Sequence, residues 1–288
     1  MKDFFVVLIH STYNALHKLR VLLIPSFRAS DFKLLNLLIG KIMDLKTSKV
    51  KTLDGTILQL DKKDSLSLSF NRIYETVETS LVKQSVKPEM VIIDIGANIG
   101  YFTTLFSKLA YKGKVIAFEP DMTNFKILEK NCRVNKCTNV QLFNNAVGSE
   151  TCTRRLYISS ENHGDHRLYP VDDQRESVEV ETIDIDSHLK SEEAIDFIKM
   201  DIQGFEMEAL LGMKQTISIY FPTLLLELWP SALLKNKTNP LDLMNYLIDL
   251  QYSIYDVIDI DKKICPSQFN HWIESIQDHT NIFCTRNK

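Results

Sequence analysis

Apolar residues along the chain follow two alternating rhythms, one of strands and one of helices. The run Val91-Ile92-Ile93-Asp94-Ile95 is short and rich in β-branched residues. Polar sequence flanks it, the pattern of a strand buried on both faces of a parallel sheet. It enters the turn Gly96-Ala97-Asn98-Ile99-Gly100, and a helical stripe follows with Phe102, Leu105, Phe106 and Leu109 on one face. Strand, glycine turn and helix together open a βαβ unit. Gly96 allows a sharp turn where a Cβ would clash, and Gly100 lets the helix start approach the strand or a ligand. The free amides of such a helix start form a site for electron-rich groups.

The same alternation recurs downstream. Strands are predicted over 114–118, 140–143, 195–200 and 223–227, with helices over 121–135, after Gly204 and over 241–250. The runs 252–258 and 281–285 close the chain as strands, and 155–159 and 177–185 flank a polar loop at 160–167. Upstream, Asp54-Gly55 between short alternating runs signals a hairpin, and residues 71–86 read as a helix stopped by Pro88. Residues 1–45 form helices broken at Pro25, with a leucine stripe beside Lys18 and Arg20 that suits a capping helix, a dimer contact or a weak membrane-surface contact. Strands alternating with helices imply a doubly wound, mostly parallel α/β sheet with right-handed crossovers. A helical and hairpin extension over 1–87 precedes a main domain over 88–288.

Composition narrows the function. A net charge of −3 gives no electrostatic drive toward nucleic acid. Five scattered cysteines, never paired as CxxC, argue for a reducing compartment, the cytoplasm, and against a disulfide framework or a zinc site. No stretch reaches membrane-spanning length, and the apolar start at 4–9 lacks the features of a secretion signal.

In sheets of this kind a ligand sits beyond the carboxyl ends of the strands. There the sequence sets Asp94, Glu119, Asn144 and Asn145, Asp201 and Glu227. Glu119 lies about twenty residues past the glycines, where nucleotide-binding folds put the acid that accepts hydrogen bonds from ribose.

The combination Asp94-Ile-Gly96-Ala-Asn98-Ile-Gly100, Phe118-Glu119-Pro120, Asn145-Ala146-Val147-Gly148, Lys199-Met200-Asp201-Ile202-Gln203-Gly204-Phe205-Glu206 and Leu226-Glu227 resembles the FkbM family of S-adenosylmethionine-dependent methyltransferases. The resemblance covers residues 70–230 in motif and 46–288 in layout. It implies a class I methyltransferase (Rossmann-like) fold of seven strands, the last antiparallel. It also implies S-adenosyl-L-methionine as cofactor and O-methylation of a hydroxyl on a sugar, glycan or polyketide-like small molecule.

Carried over residue by residue, Gly96, Asn98 and Gly100 would shape the turn under the methionine part of the cofactor. Asp94 would hold that turn or the ammonium, Glu119 the ribose, and Asn145 and Ala146 would border the adenine. Asn98 stands where methyltransferases in general have glycine, which the narrower family shares. Gln203 stands where the family commonly has Glu, which shifts attention to Asp201 and Glu206. A methyl on a sulfonium is already electrophilic, so the protein must align an acceptor oxygen and remove its proton. Asp201 is the first candidate for that region, as base, orienter or helix cap, and Glu227 the second. Glu206 reads as a brace for the turn. His163 and His166, with Asp165, read either as exposed loop residues or as a lid facing the site, where an imidazole could serve as the catalytic group that takes the hydroxyl proton, with no metal implied. Tyr74 and Glu75 are expected to close over the methionine end. His10, His17, His188, His271 and His279 read as structural or surface.

Competing readings are an RNA or protein methyltransferase, an NAD-dependent oxidoreductase and a non-catalytic module that keeps the cofactor pocket. The acceptor and the oligomeric state are not legible from the residues.

Overall fold

The structure is a computed structural model that describes residues 48–171, 175–189 and 194–286. Residues 1–45, expected to be helical, lie outside the described residues, as does any membrane contact they make. The described chain opens with β1 (Lys49–Lys51) and β2 (Ile57–Gln59), an antiparallel hairpin turning at Asp54 and Gly55. The hairpin is tied to the body by side-chain amides: Asn135 and Asn131 accept from the Ile57 and Gln59 N–H groups.

A single helix was expected over 71–86. The chain instead forms α1 (Leu68–Asn71) and α2 (Thr76–Ser85). Between them Arg72 and Glu75 take left-handed conformations at φ 56° and 42°, which no α-helix accommodates. That break folds residues 65–75 over the carboxyl end of the sheet.

The main body alternates as expected: β3 (Val91–Ile95), α3 (Tyr101–Leu109), β4 (Lys114–Phe118), α4 (Met122–Val134) and β5 (Val140–Phe143). Next come β6 (Ala146–Val147), β7 (Cys152–Tyr157), β8 (Ser177–Ile183) and α5 (Ile185–His188). Then β9 (Phe197–Met200), α6 (Glu206–Leu211), α7 (Lys214–Tyr220), β10 (Thr223–Leu228), α8 (Pro230–Lys235) and α9 (Pro240–Asp249) follow. The end is β11 (Ser253–Asp256), β12 (Asp259–Lys263), α10 (Phe269–Ser275) and β13 (Thr280–Thr285). Caps agree with composition, since Asp121 accepts from Asn124 N at 2.8 Å and Asn239 from Leu241 N at 3.0 Å, with Pro240 in the first turn of α9.

The central sheet runs β12-β11-β13-β10-β9-β3-β4-β5, with β13 antiparallel to both of its neighbours. Without β12 this is the seven-stranded class I order, three strands out to one side and the rest to the other, the last one reversed. β12 is the added eighth strand. Its sequence, Asp259-Ile-Asp-Lys-Lys263, has no apolar alternation, and it sits exposed with charges that blunt the sheet edge. The segments on either side of the polar loop form a separate three-stranded sheet, β6-β8-β7.

Two apolar clusters cover the two faces. Ile93, Ile95, Ile198 and Leu226 pack under α6, α7 and α9, and Ile92, Phe197 and Leu225 pack under α3 with Phe102 and Phe106. Period-2 alternation therefore places Asp94, Lys199 and Glu227 on the α3 face, toward the carboxyl end. Parallel pairing sets Asp94 opposite Lys199 across the β3–β9 seam. The chain winds outward in opposite directions from that seam, which opens the crevice there.

Candidate active site

A cavity of about 310 Å³ occupies this crevice. The turn after β3 forms its floor. Gly96 (φ +79°) and Ala97 both donate to the Phe118 carbonyl at 3.0 Å, and Asn98 (φ 51°) turns the chain back. The two glycines answer to packing. A Cβ on Gly96 would fall 2.0 Å from the Asp201 carbonyl oxygen, so this glycine lets the β3 turn cross the β9 turn. A Cβ on Gly100 (φ +89°) would meet Leu128 Cδ1 at 2.5 Å, so Gly100 seats α3 on α4 and lies away from the cavity lining.

Glu119 is 4% exposed and stitches two turns together. Its Oε2 accepts from Asn98 N at 2.8 Å and its Oε1 from Asp121 N at 2.9 Å. Burial outweighs those bonds and pushes its pKa up to about 8. Asn145 and Ala146 line the same end, the Asn145 amide donating to Glu181 at 2.9 Å. Asn144 turns away, its amide donating to the Glu119 and Pro120 carbonyls.

At the other end four carboxylates surround one ammonium. Lys199 Nζ lies 3.5 Å from Asp201 Oδ2 and 4.7 Å from the centre of the Phe102 ring. Burial would lower the Lys199 pKa, but Asp201, Glu75, Asp94 and Glu227 outweigh it and raise it. Burial raises Glu227 well above the carboxylate range, with Asp201, Glu206 and Glu75 adding repulsion. Burial likewise raises Glu75, to about 7, against the pull of Lys199. Asp94 is raised by burial too; its Oδ2 accepts from Thr103 at 2.6 Å and its Oδ1 has no partner. The Gln203 amide donates to Asp201 Oδ1 at 2.9 Å and to Glu227 Oε2 at 3.2 Å, so it relieves repulsion where a further carboxylate would add to it. Glu206 braces the turn, Oε1 accepting from Ile202 N and Gly204 N.

The polar loop folds over the cavity. Its Arg167 pairs with Tyr157 in a β-bridge and lies 4.7 Å over the Trp229 ring, and His163 N donates to Ser65 Oγ at 2.8 Å. His163 lines the cavity with a buried, unpartnered Nδ1. His166 also lines it, but its Nδ1 accepts from Ser159 N at 3.1 Å and its Nε2 faces Asp121 at 3.9 Å. Burial lowers its pKa. Holding the loop occupies that imidazole, so it cannot take a proton at Nδ1 without losing the bond.

The crevice thus brings together Glu75, Asp94, Gly96, Asn98, Glu119, Asn145, Ala146, His163, His166, Asp201 and Glu227, and leaves out Gly100. The sequence reading left Lys199 and Trp229 without a role in the site and read His279 as structural or surface, yet all three line the cavity. Lys199 was the detectable one: a lysine inside the buried run Phe197-Ile198-Lys199-Met200 requires buried counter-charges. Trp229 and His279, whose rings lie 5.8 Å apart, come from loops after β10 and before β13 and carry no local signal.

Residues 94–279 match the methyltransferase FkbM domain. Methyltransferase 1 of Beauveria bassiana is 25% identical over 143 residues, 42% of this chain and 57% of that protein. The 2-O-methyltransferase NoeI of Sinorhizobium fredii is 28% identical over 162 residues, 49% of this chain and 65% of that protein. The match thus spans less than two thirds of either relative. Among solved structures, precorrin-6y C5,15-methyltransferase from Geobacter metallireducens aligns over 80% of this chain and 94% of that one, at 13% identity and a TM-score of 0.44. A SAM dependent methyltransferase from Aquifex aeolicus aligns over 73% of this chain and 89% of that one, at 14% identity and a TM-score of 0.41.

Proposed function

Because this chain belongs to the methyltransferase FkbM family, we propose that it takes S-adenosyl-L-methionine as donor and methylates a hydroxyl of a sugar, glycan or polyketide-like small molecule. One observation carries the donor assignment: the crevice at the strand ends is lined by Asp94, Asp201 and Glu227 around Lys199, with Asp94 Oδ1 buried and unpartnered. Such a surface offers acceptor oxygens to a ligand bearing an ammonium and a sulfonium, whose positive charge would in turn favour ionisation of the raised carboxyls.

The lining fits the donor group by group. Glu119 keeps acceptor lone pairs beyond its two amide bonds, which suits ribose hydroxyls. Asn145, Ala146 and Val147 offer a flat border for adenine, and Asp94 a free oxygen for the ammonium. When bound, S-adenosylmethionine supplies a methyl on positive sulfur. The protein's part is to orient an oxygen toward it, exclude water under the loop of His163 to His166, and receive a proton. Asp201 is the orienting acid, held between the Lys199 ammonium and the Gln203 amide.

The 2-O-methyltransferase relative supports oxygen as the acceptor atom. The net charge of −3 disfavours nucleic acid as substrate. Five free thiols support a reducing compartment, the cytoplasm. Among the described residues no helix is long and apolar enough to cross a membrane.

Calorimetric titration separates the readings. S-adenosylmethionine is expected to bind with NAD silent; binding of NAD alone would overturn the assignment.

A further inference from the structure

A second groove, of about 430 Å³, opens on the surface beside the donor crevice. It is built by the segment that breaks between α1 and α2, and its wall is common to both spaces: Ser65, Leu66, Tyr74 and Glu75 line each. Its outer lining alternates hydroxyl and amide groups (Ser67, Asn71, Thr76) with the apolar faces of Ile73 and Tyr74. That alternation matches a sugar ring, whose hydroxyl edge donates and accepts hydrogen bonds while its C–H face packs on aromatic and aliphatic carbon.

Glu75 stands at the junction. It precedes α2 at φ 42° and ψ 72° without making a side-chain capping bond, so its carboxylate is not engaged in closing the helix. Its Oε2 is buried with no partner. Of the neighbouring acids, Asp201 is engaged by Gln203 and Lys199, Glu227 by Gln203 and Glu119 by two backbone amides, while Asp94, whose Oδ1 is also unpartnered, lines the donor crevice and not the second groove.

We propose that the groove of residues 65–76 is the acceptor subsite for a sugar hydroxyl, and that the Glu75 carboxylate is the catalytic base that takes its proton. This rests on the methyltransferase reading above and assigns its acceptor side. The acceptor O–H bond gives its proton to the Glu75 carboxylate as the oxygen bonds the methyl carbon. The carbon–sulfur bond breaks with its pair left on sulfur, so a carboxylate and a sulfonium become a carboxylic acid and a neutral thioether. The proton then leaves for solvent through the groove. Glu75 is poised for this between Lys199 and Asp201 of the β9 end, Glu227 of β10, Tyr101 of α3, and Tyr74 and Glu78 of its own segment. Burial first, then Lys199 opposing Asp201 and Glu78, puts its titration at about 7.

The test is Glu75→Gln beside Asn71→Trp, which fills the groove from its exposed rim, and His163→Gln, which removes the competing unpartnered nitrogen. Donor affinity is read by calorimetry, and transfer from labelled S-adenosylmethionine to a panel of methyl glycosides is followed from pH 5.5 to 9. Infrared difference spectra report the carboxyl titration directly. Glu75→Gln is expected to bind donor within about threefold of wild type and to lose transfer by about 10²-fold or more. It should also lack both the rising limb near pH 7 and the matching carboxyl signal. Asn71→Trp should bind donor normally and lose transfer. The proposal is overturned if Glu75→Gln weakens donor binding more than about tenfold, if it keeps the rising limb, or if His163→Gln abolishes that limb instead. Wild type that binds donor but methylates no glycoside sinks the sugar subsite and leaves the donor assignment standing. Wild type that does not bind S-adenosylmethionine sinks the underlying reading.

Discussion

Replacing Glu119 by Gln should move stability and donor binding in opposite directions at alkaline pH. In the folded chain the carboxyl titrates at about 8, against an ordinary value of 4.5, because it is fully buried. Below 4.5 it is protonated in both states and contributes nothing. Between 4.5 and 8 the unfolded chain has released the proton while the folded chain still holds it. Stability therefore falls as pH rises through that window, and the loss is complete above the folded value. A shift of this size corresponds to roughly 4–5 kcal/mol of folding free energy lost by wild type across the window. Gln has no such proton to lose. Its amide can accept from only one of the Asn98 and Asp121 amides, and leaving the other donor unpaired costs about 1–3 kcal/mol at every pH. Urea unfolding from pH 5 to pH 9 should show the variant less stable than wild type at the acid end and more stable at the alkaline end. Above pH 8, where the wild-type carboxyl is ionised, the variant's affinity for S-adenosylmethionine should be about 10- to 100-fold lower, as expected for lost charge-assisted bonds to ribose hydroxyls. A stability difference that stays flat with pH would refute the reasoning, since it would mean the two backbone amides keep Glu119 ionised throughout.

Two further substitutions test the scaffold beneath the site. Gly96→Ala puts a Cβ 2.0 Å from the Asp201 carbonyl oxygen at φ +79°, so it should cost roughly 2–5 kcal/mol in denaturant unfolding, and a cost under about 1 kcal/mol would contradict the crossing of the two turns. Lys199→Met leaves Asp94, Asp201, Glu75 and Glu227 without their buried counter-charge; a loss of about 3–5 kcal/mol at pH 8 is expected, shrinking in acid as the carboxylates take protons, and equal stability at both pH values would show that the ammonium does not hold the cluster.

The alternation of apolar runs was enough to reveal the layered sheet, because a strand buried on both faces and an amphipathic helix have different hydrophobic periods that no tertiary contact needs to supply. It also placed Asp94, Glu119, Asp201 and Glu227 at one end, since in a parallel sheet every strand finishes on the same side. Tertiary structure decided the rest. β12 carries no apolar alternation because it is an exposed charged edge, so only its pairing with β11 reveals it. The glycines looked like concessions to a ligand, yet what crowds them is the Asp201 carbonyl and Leu128, residues more than twenty-five positions away in sequence. His163 and His166 differ in that the His166 ring meets Ser159 N and Asp121 while the His163 Nδ1 finds no partner, which the folded neighbours determine. Left-handed turns at Arg72 and Glu75 carry the acid from a supposed helix interior to the wall between two cavities. Local sequence specifies period and end, which are properties of one element. Which group stays unpaired, and which backbone lies against which, depends on several elements meeting, and only the folded chain brings them together.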